Sequence, residues 1–433
     1  MTTRLKSTCK AGILVAACVS LAVCASCSDE EVMKDTPAQE NDKMCFGVSL
    51  ADKWNAVPGT RSAGDKPTVD DAGGFENGIL RIASTVENGI ARNPFQETGA
   101  QTRGTTVNRG NFYDSFKVYA YTYEGTDWAN GSAKTYLDNE TVTKSGNVWA
   151  TDPLHFWPNS GQMKFLAYAP SDMQEITTDG TTHTLNYTVP DVGEQKDLLV
   201  AEADVAGDYR QTLDLEFKHI LTAVKVKAHQ HLYASQGAIE SITFKNIKSR
   251  GTHKLGTDTW TGQNENKDFV IDMSSKGVNN GKMVLDDSDN TTLLMIPQEL
   301  GADAELEVVF NEEDGRGTIT GRIGGVNKEG DNKIWEMGTT VIYRLPFVFL
   351  LRYYANEGQF ADNSTMYTDR VVSYDANENK FQIKEIEPTK DGYTFLGWAD
   401  SPTATSADFI SGKELTLSAE APMKTIYAVW IKK

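Results

Sequence analysis

Cysteine is scarce in this chain, and what there is lies at one end. The 433 residues hold five cysteines, none beyond Cys45. A disulfide framework is excluded for nearly the whole length, so stability must come from packing. Histidine is rare, at six residues, which leaves few groups to bind metal or titrate near neutral pH. Positive charge is in the minority: 42 Lys and Arg face 60 Asp and Glu, for a formal net charge of −18. That balance disfavours nucleic acid and anionic lipid surfaces as partners. Beyond the N-terminal segment no apolar run approaches the roughly 20 residues of a membrane-spanning helix. Long apolar stripes at helical spacing are missing too.

The N-terminal segment has a pattern of its own. Arg4, Lys6 and Lys10 form a short positive region, Ile13 to Ala25 is apolar, and Cys24-Ala25-Ser26-Cys27 is followed by Ser28-Asp29-Glu30-Glu31. An apolar run this short is a signal-peptide core. Small residues at Ala25 and Ser26 suit a peptidase that cuts just before a cysteine. The stretch resembles the lipobox of bacterial lipoproteins, with Cys24 where Leu or Val is usual. The resemblance implies a signal peptide over residues 1–26 and a fatty-acylated, palmitate-type anchor on Cys27. It places the protein at the outer membrane, surface-exposed. The other reading is an ordinary secretory signal with an incidental cysteine. Residues 27–43 are polar and acidic, bury almost nothing and read as a lipidated flexible tether. The acidic run after Cys27 also resembles the surface-export signal of Bacteroides-type lipoproteins, with a plain solvated linker as the competing reading.

From there the period is two. Phe46, Val48 and Leu50 alternate with Gly47 and Ser49; Phe116, Val118 and Ala120 with Lys117, Tyr119 and Tyr121; Leu213, Leu215 and Phe217 with Asp214 and Glu216; Val224, Val226 and Ala228 with Lys225 and Lys227. Each predicts a strand with one apolar and one solvated face. Leu293 to Ile296 is continuously apolar and predicts a strand buried on both faces. Gly, Asn and Asp clusters punctuate the runs. The expectation is an all-β protein: an antiparallel sandwich over 44–232, a second over 236–345, and, past a composition break near Pro346, a small third unit over 347–433.

An ordered series of motifs runs through the first two units: Asn111 to Tyr123, Gly146-Asn-Val-Trp149, His155-Phe-Trp-Pro158, Lys164 to Pro170, Gln195 to Ala201, Leu215 to Val226, Trp260, Leu294-Met-Ile-Pro297 and Trp335-Glu-Met-Gly338. The series resembles the fimbrillin-like family of Bacteroidetes surface proteins. The resemblance implies sandwiches that build or decorate fibres of the fimbria or pilus, with other fimbrial or surface proteins as partners. It also implies strand exchange, in which a protease cuts after an arginine, the N-terminal strand leaves and a partner's strand replaces it. The leaving strand here is Phe46, Val48 and Leu50 with their neighbours. The candidate cleavage sites are Arg103, preferred because it lies just ahead of the strand near Phe112, and Arg61. Both also read as plain solvated loop arginines. Cutting at Arg103 also removes the strand-like Leu80 to Val86.

The third unit carries Lys390-Asp-Gly-Tyr-Thr-Phe-Leu-Gly-Trp398 and Lys424-Thr-Ile-Tyr-Ala-Val-Trp430. It resembles a Listeria–Bacteroides repeat of the internalin B-repeat type, with Asn356-Glu357-Gly358 where two glycines often occur. The implied fold is a small grasp-like sheet serving as a spacer or interaction module. A stalk subunit of the fimbrillin-like family donates its C-terminal strands, and an extra unit behind them obstructs that. The expectation is therefore an accessory or tip-like adhesin.

No catalytic constellation, cofactor cradle or metal set is legible, and the chain is read as a non-enzyme. His219 reads as a packed or hydrogen-bonded core histidine. His229 and His231 share a strand face but lack a third ligand. Asp286 to Asp289 and Glu312 to Gly315 read as polar turns. Tyr119, Tyr121 and Tyr123 form an aromatic stripe, either under a second sheet or serving as a platform for a host protein or glycan. The rival function is a glycan-binding lipoprotein associated with nutrient uptake, which requires exposed aromatics such as Trp128, Trp149 or Trp260.

Overall fold

The computed structural model describes residues 42–51, 68–71, 74–76, 79–88, 107, 112–126, 128, 132–146, 148–173, 175–228, 238–274, 292–312, 315–325, 333–377 and 379–433. The regular elements among them are all strands, so the all-β expectation holds.

The first sheet closes on itself. In spatial order it runs β1 (Phe46–Leu50), β13 (Leu213–His219), β12 (Leu199–Ala206), β9 (Gln162–Ala169), β6 (Ser115–Tyr123), β7 (Lys134–Ser145) and β8 (Val148–Thr151), and β8 meets β1 again. Alternation puts Phe116, Val118, Ala120, Leu213, Leu215 and Phe217 inside this flattened barrel with Phe46, Trp149 and Trp157. Of the pair Phe156 and Trp157, only Trp157 is buried; Phe156 is 43% exposed.

Two further sheets pack face to face. One contains β10 (Ile176–Asp179), β11 (Thr182–Thr188), β15 (Ile239–Lys254), β19 (Glu305–Phe310), β20 (Thr318–Arg322), β4 (Ile79–Arg81) and β3 (Gly74–Glu76), with β16 (Trp260–Asp272) paired to β15. The other runs β17 (Leu293–Met295), β14 (Thr222–Lys227), β22 (Thr339–Arg344), β5 (Ala83–Asn88) and β2 (Thr68–Asp71). Phe244 sets its ring edge-on to Tyr343 at 5.7 Å and to Trp335 at 6.3 Å across this sandwich. A short pair, β18 (Gln298–Glu299) and β21 (Ile334–Trp335), lies beside them. The run from Leu293 is buried on both faces as its composition requires. The alternation from Val224 is overridden: Lys225 is buried as well, because β14 is an interior strand between β17 and β22.

Residues 347–433 form a mixed sheet in the order β24 (Met366–Ser373), β23 (Phe347–Tyr354), β28 (Met423–Lys432) and β26 (Tyr393–Ala399), with β25 (Asn379–Gln382) and β27 (Glu414–Leu417) as a second small ladder. Its first and last strands, β23 and β28, lie side by side in parallel. Trp398, Tyr353, Phe381 and Ile426 centre its core. Gly397 sits at a bulge with φ of 133°, and a Cβ there would meet Ala407 and the Phe409 carbonyl at 2.8 Å. Val348 and Leu350 face the other way and join the core of the large sandwich.

Candidate strand-exchange site

β1 is the N-terminal strand of the barrel and also its closing strand. It pairs in parallel with β13, from Phe46 opposite Leu213 to Leu50 opposite Phe217, and touches β8 at Phe46 opposite Trp149. Phe46 is 1% exposed, and its ring meets Phe116 and Phe165 edge-on, each at 6.1 Å. Leu50 is buried and Val48 half-buried. Gly47 suits its place because a Cβ would lie 2.9 Å from Asp214 Oδ1.

Both ends of the strand are tied. Met44 N–H donates to the His155 carbonyl at 2.8 Å, Leu213 N–H to the Cys45 carbonyl at 2.9 Å, and Ala51 N–H to the Phe217 carbonyl at 2.9 Å. Arg210 pairs with Asp42 at 3.2 Å. Taking β1 away would leave an apolar slot between β13 and β8, floored by Phe116 and Phe165 and edged by unpaired backbone groups. An exposed edge of that kind accepts another strand.

The chain then runs to β2–β5, which belong to the sandwich. β5 forms a six-residue antiparallel ladder with β22, from Thr339 opposite Asn88 to Arg344 opposite Ala83. Leu80 and Ile82 are buried in the sandwich core. The strand expected over Leu80 to Val86 thus exists as two short strands, β4 and β5, joined at Ile82, which donates its N–H to the Arg322 carbonyl at 3.1 Å.

Downstream, the chain is fixed again at Val107. Its N–H donates to Asp197 Oδ2 at 2.9 Å, and His219 Nδ1 lies 2.8 Å from the same oxygen. Asp197 is fully buried, its Oδ1 has no hydrogen-bond partner, and its carbonyl accepts Tyr113 Oη–H at 2.8 Å. Burial and the Asp197 charge together push the Tyr113 phenol up. His219 is thus the hydrogen-bonded core histidine its position suggested. Asp197 is the residue that sequence reasoning passed over; the only signal was an acid flanked by Gln195 and an apolar run.

Cys27, Arg61 and Arg103 lie outside the described residues, as do His229, His231, the run Asp286 to Asp289, and Glu313 and Asp314. Among the described residues no group of three or more His, Cys, Asp or Glu is placed to hold a metal ion. Two tyrosines of the stripe, Tyr119 and Tyr121, are covered by a second sheet, and Tyr123 is buried with its hydroxyl donating to Asp204 Oδ1 at 3.3 Å. Tyr119 stacks on His183 of β11 at 3.6 Å, and Tyr121 Oη lies 2.6 Å from His183 Nε2. Burial pushes the Tyr121 phenol up to about 12 and the His183 imidazole down. Trp149 and Trp260 are buried and Trp128 is half-buried, so the first two are not available as a glycan platform.

A family model described as Fimbrillin-like matches residues 102–348. The chain is similar to fimbrium subunit Fim1C of Phocaeicola vulgatus, 23% identical over 281 residues that make up 54% of this chain and 73% of that protein. Among solved structures it is similar to a candidate cell adhesion protein of Bacteroides ovatus, at 17% identity and a TM-score of 0.39 over 66% of this chain and 94% of that one. It is also similar to the fimbrial anchor protein Mfa2 of Porphyromonas gingivalis, at 13% identity and a TM-score of 0.25 over 60% and 90% of the two chains.

Proposed function

The chain belongs to the fimbrillin-like family, and we propose that within this class of cell-surface fimbrial and adhesion components it is an accessory or tip-like subunit. It reaches the outer membrane as a precursor acylated on Cys27, and a cut that releases this anchor together with β1 lets it join its neighbour through strand exchange. The observation that carries this reading is the placement of β1 as the closing strand of the barrel. A cut after Arg61 frees β1 alone. A cut after Arg103 frees β1 through β5 together, opening the barrel slot and uncovering β22.

The unit behind the family region supports the accessory role. β22 lies inside its sheet between β14 and β5, and only Leu345 and Pro346 separate it from β23. Swinging β22 out as a donor would drag a folded unit with its own core. We assign residues 347–433, as an internalin B-type repeat, to contacts with other surface proteins.

The test is N-terminal sequencing of the surface-exposed form, with palmitate labelling of intact cells. The reading expects palmitate label on the uncut precursor, lost in Cys27→Ala, and an unlabelled mature N-terminus at Gly104, lost in Arg103→Ala. An unacylated precursor, or an assembled chain that keeps its N-terminal strands, would overturn it.

A further inference from the structure

We propose that the C-terminal unit is a latch on the N-terminal strands. Residues 347–433 hold β5 on β22 and thereby gate its release. The latch rests on the strand-exchange reading and concerns what regulates it.

The contact is made by one hydroxyl. Tyr374 Oη accepts the Ala83 N–H at 2.9 Å and donates to the Arg344 carbonyl at 2.9 Å. Ala83 and Arg344 are register partners on the last rung of the β5–β22 ladder. The hydroxyl therefore joins a strand that departs with the N-terminal stretch to a strand that stays. The rung is buried on the departing side, where Ala83, Ser84 and Thr85 are all under 10% exposed.

A second contact fixes the latch. Arg370 Nη1 donates to the Arg316 carbonyl at 2.5 Å and to the Thr318 carbonyl at 3.1 Å. Thr318 begins β20, whose other end pairs with β4 at Arg322 opposite Arg81. Val348 and Leu350 are buried in the sandwich core, and Val372 and Tyr374 pack against it. The C-terminal unit is seated on the body by an apolar patch and by two polar side chains. Tyr374 reaches the last rung of the β5–β22 ladder, and Arg370 reaches the start of β20, the strand that pairs with β4 at its far end. A swinging spacer would have neither. Undocking the unit, on assembly with a partner, loosens the outermost rung first, and a ladder opens from its end.

The experiment uses the full mature chain with a site-specific protease sequence inserted after Arg103, cut in vitro so that natural processing is not required. The cut protein is immobilised by its C-terminus, and the N-terminal fragment still bound is followed by mass spectrometry. Tyr374→Phe keeps the ring and removes the bridging hydroxyl. It is expected to release the fragment roughly tenfold faster than the parent, the effect of losing the half-buried hydrogen bond from Ala83, the one of the hydroxyl's two that reaches the departing strand. Arg370→Gln is expected to act in the same direction. Tyr367→Phe, whose hydroxyl accepts Lys384 within the C-terminal unit, is expected to match the parent. Release at equal rates from the parent, Tyr374→Phe and Arg370→Gln would overturn the latch and leave strand exchange standing. A fragment that never leaves any of the four proteins would overturn both.

Discussion

Replacing Phe46 by alanine removes a fully buried ring from the strand that closes the barrel. Phe46 packs edge-on against Phe116 and Phe165, and its neighbours are held by barrel strands that cannot collapse into the gap. Truncations of this kind cost about 3–5 kcal/mol. The protein has several cores, so a single unfolding free energy would blend them. Native-state hydrogen exchange reads the barrel separately. About 1.4 kcal/mol corresponds to a factor of ten, so the amides of β13, which lie directly against β1, are expected to exchange roughly 10²- to 4 × 10³-fold faster. The amides of β28, at the far end of the chain with a core of their own, are expected to keep their rates. Val48→Ala, at a half-buried position, is expected to cost about 1 kcal/mol. An acceleration below about tenfold in β13, or an equal one in β28, would refute the claim that β1 closes an independent, strand-dependent barrel.

Three other outcomes are expected of the same molecule. His253 is fully buried, and burial holds its imidazole down at about 4. The unfolded chain takes up that proton near pH 6.5 while the folded one does not, so the contribution of His253 to stability is constant above pH 6.5. It then falls toward pH 4 by up to about 1.4 kcal/mol per pH unit; urea midpoints of the parent and His253→Gln should converge as pH drops. Asp197→Ala strips Val107 and His219 of their shared acceptor, and about 3 kcal/mol of local stability should go with it, seen as faster exchange at the Val107 amide; unchanged exchange there would show that the carboxylate does not anchor this segment. Gly397→Ala forces a left-handed backbone and a 2.8 Å clash, so the C-terminal unit should lose upwards of about 2 kcal/mol, with its melting transition moved and the barrel's left in place.

Strand existence was legible because alternation is a local property. Leu213, Leu215 and Phe217 declare a half-buried strand whatever they pair with. Partner choice is not local. Nothing in Ala83 to Asn88 announces a ladder with Thr339 to Arg344, more than 250 residues away, and nothing in Ile176 to Thr188 announces that it crosses into the second sandwich. Lys225 misled for the same reason, since its burial comes from sheet position and not from its own strand. At the candidate site, Phe46, Val48 and Leu50 could be named from their pattern and from the family resemblance. The Asp197 anchor could not, because its significance depends on Val107, Tyr113 and His219 converging from three separate stretches. The latch through Tyr374 was equally silent, for a tyrosine at the end of a strand carries no signal of what its hydroxyl will meet.

The polarity of the closing strand has a thermodynamic corollary. β1 runs in the same direction as β13, and same-direction ladders have slanted, slightly weaker hydrogen bonds than opposed ones. A newcomer entering the vacated seam head-to-tail would line up with β13 in the stronger arrangement while offering the same apolar side chains to Phe116 and Phe165. Reversal would turn the single bridge to β8 into the weaker arrangement, but the contact with β13 is five residues long, so the longer side of the seam favours a reversed strand over the original occupant.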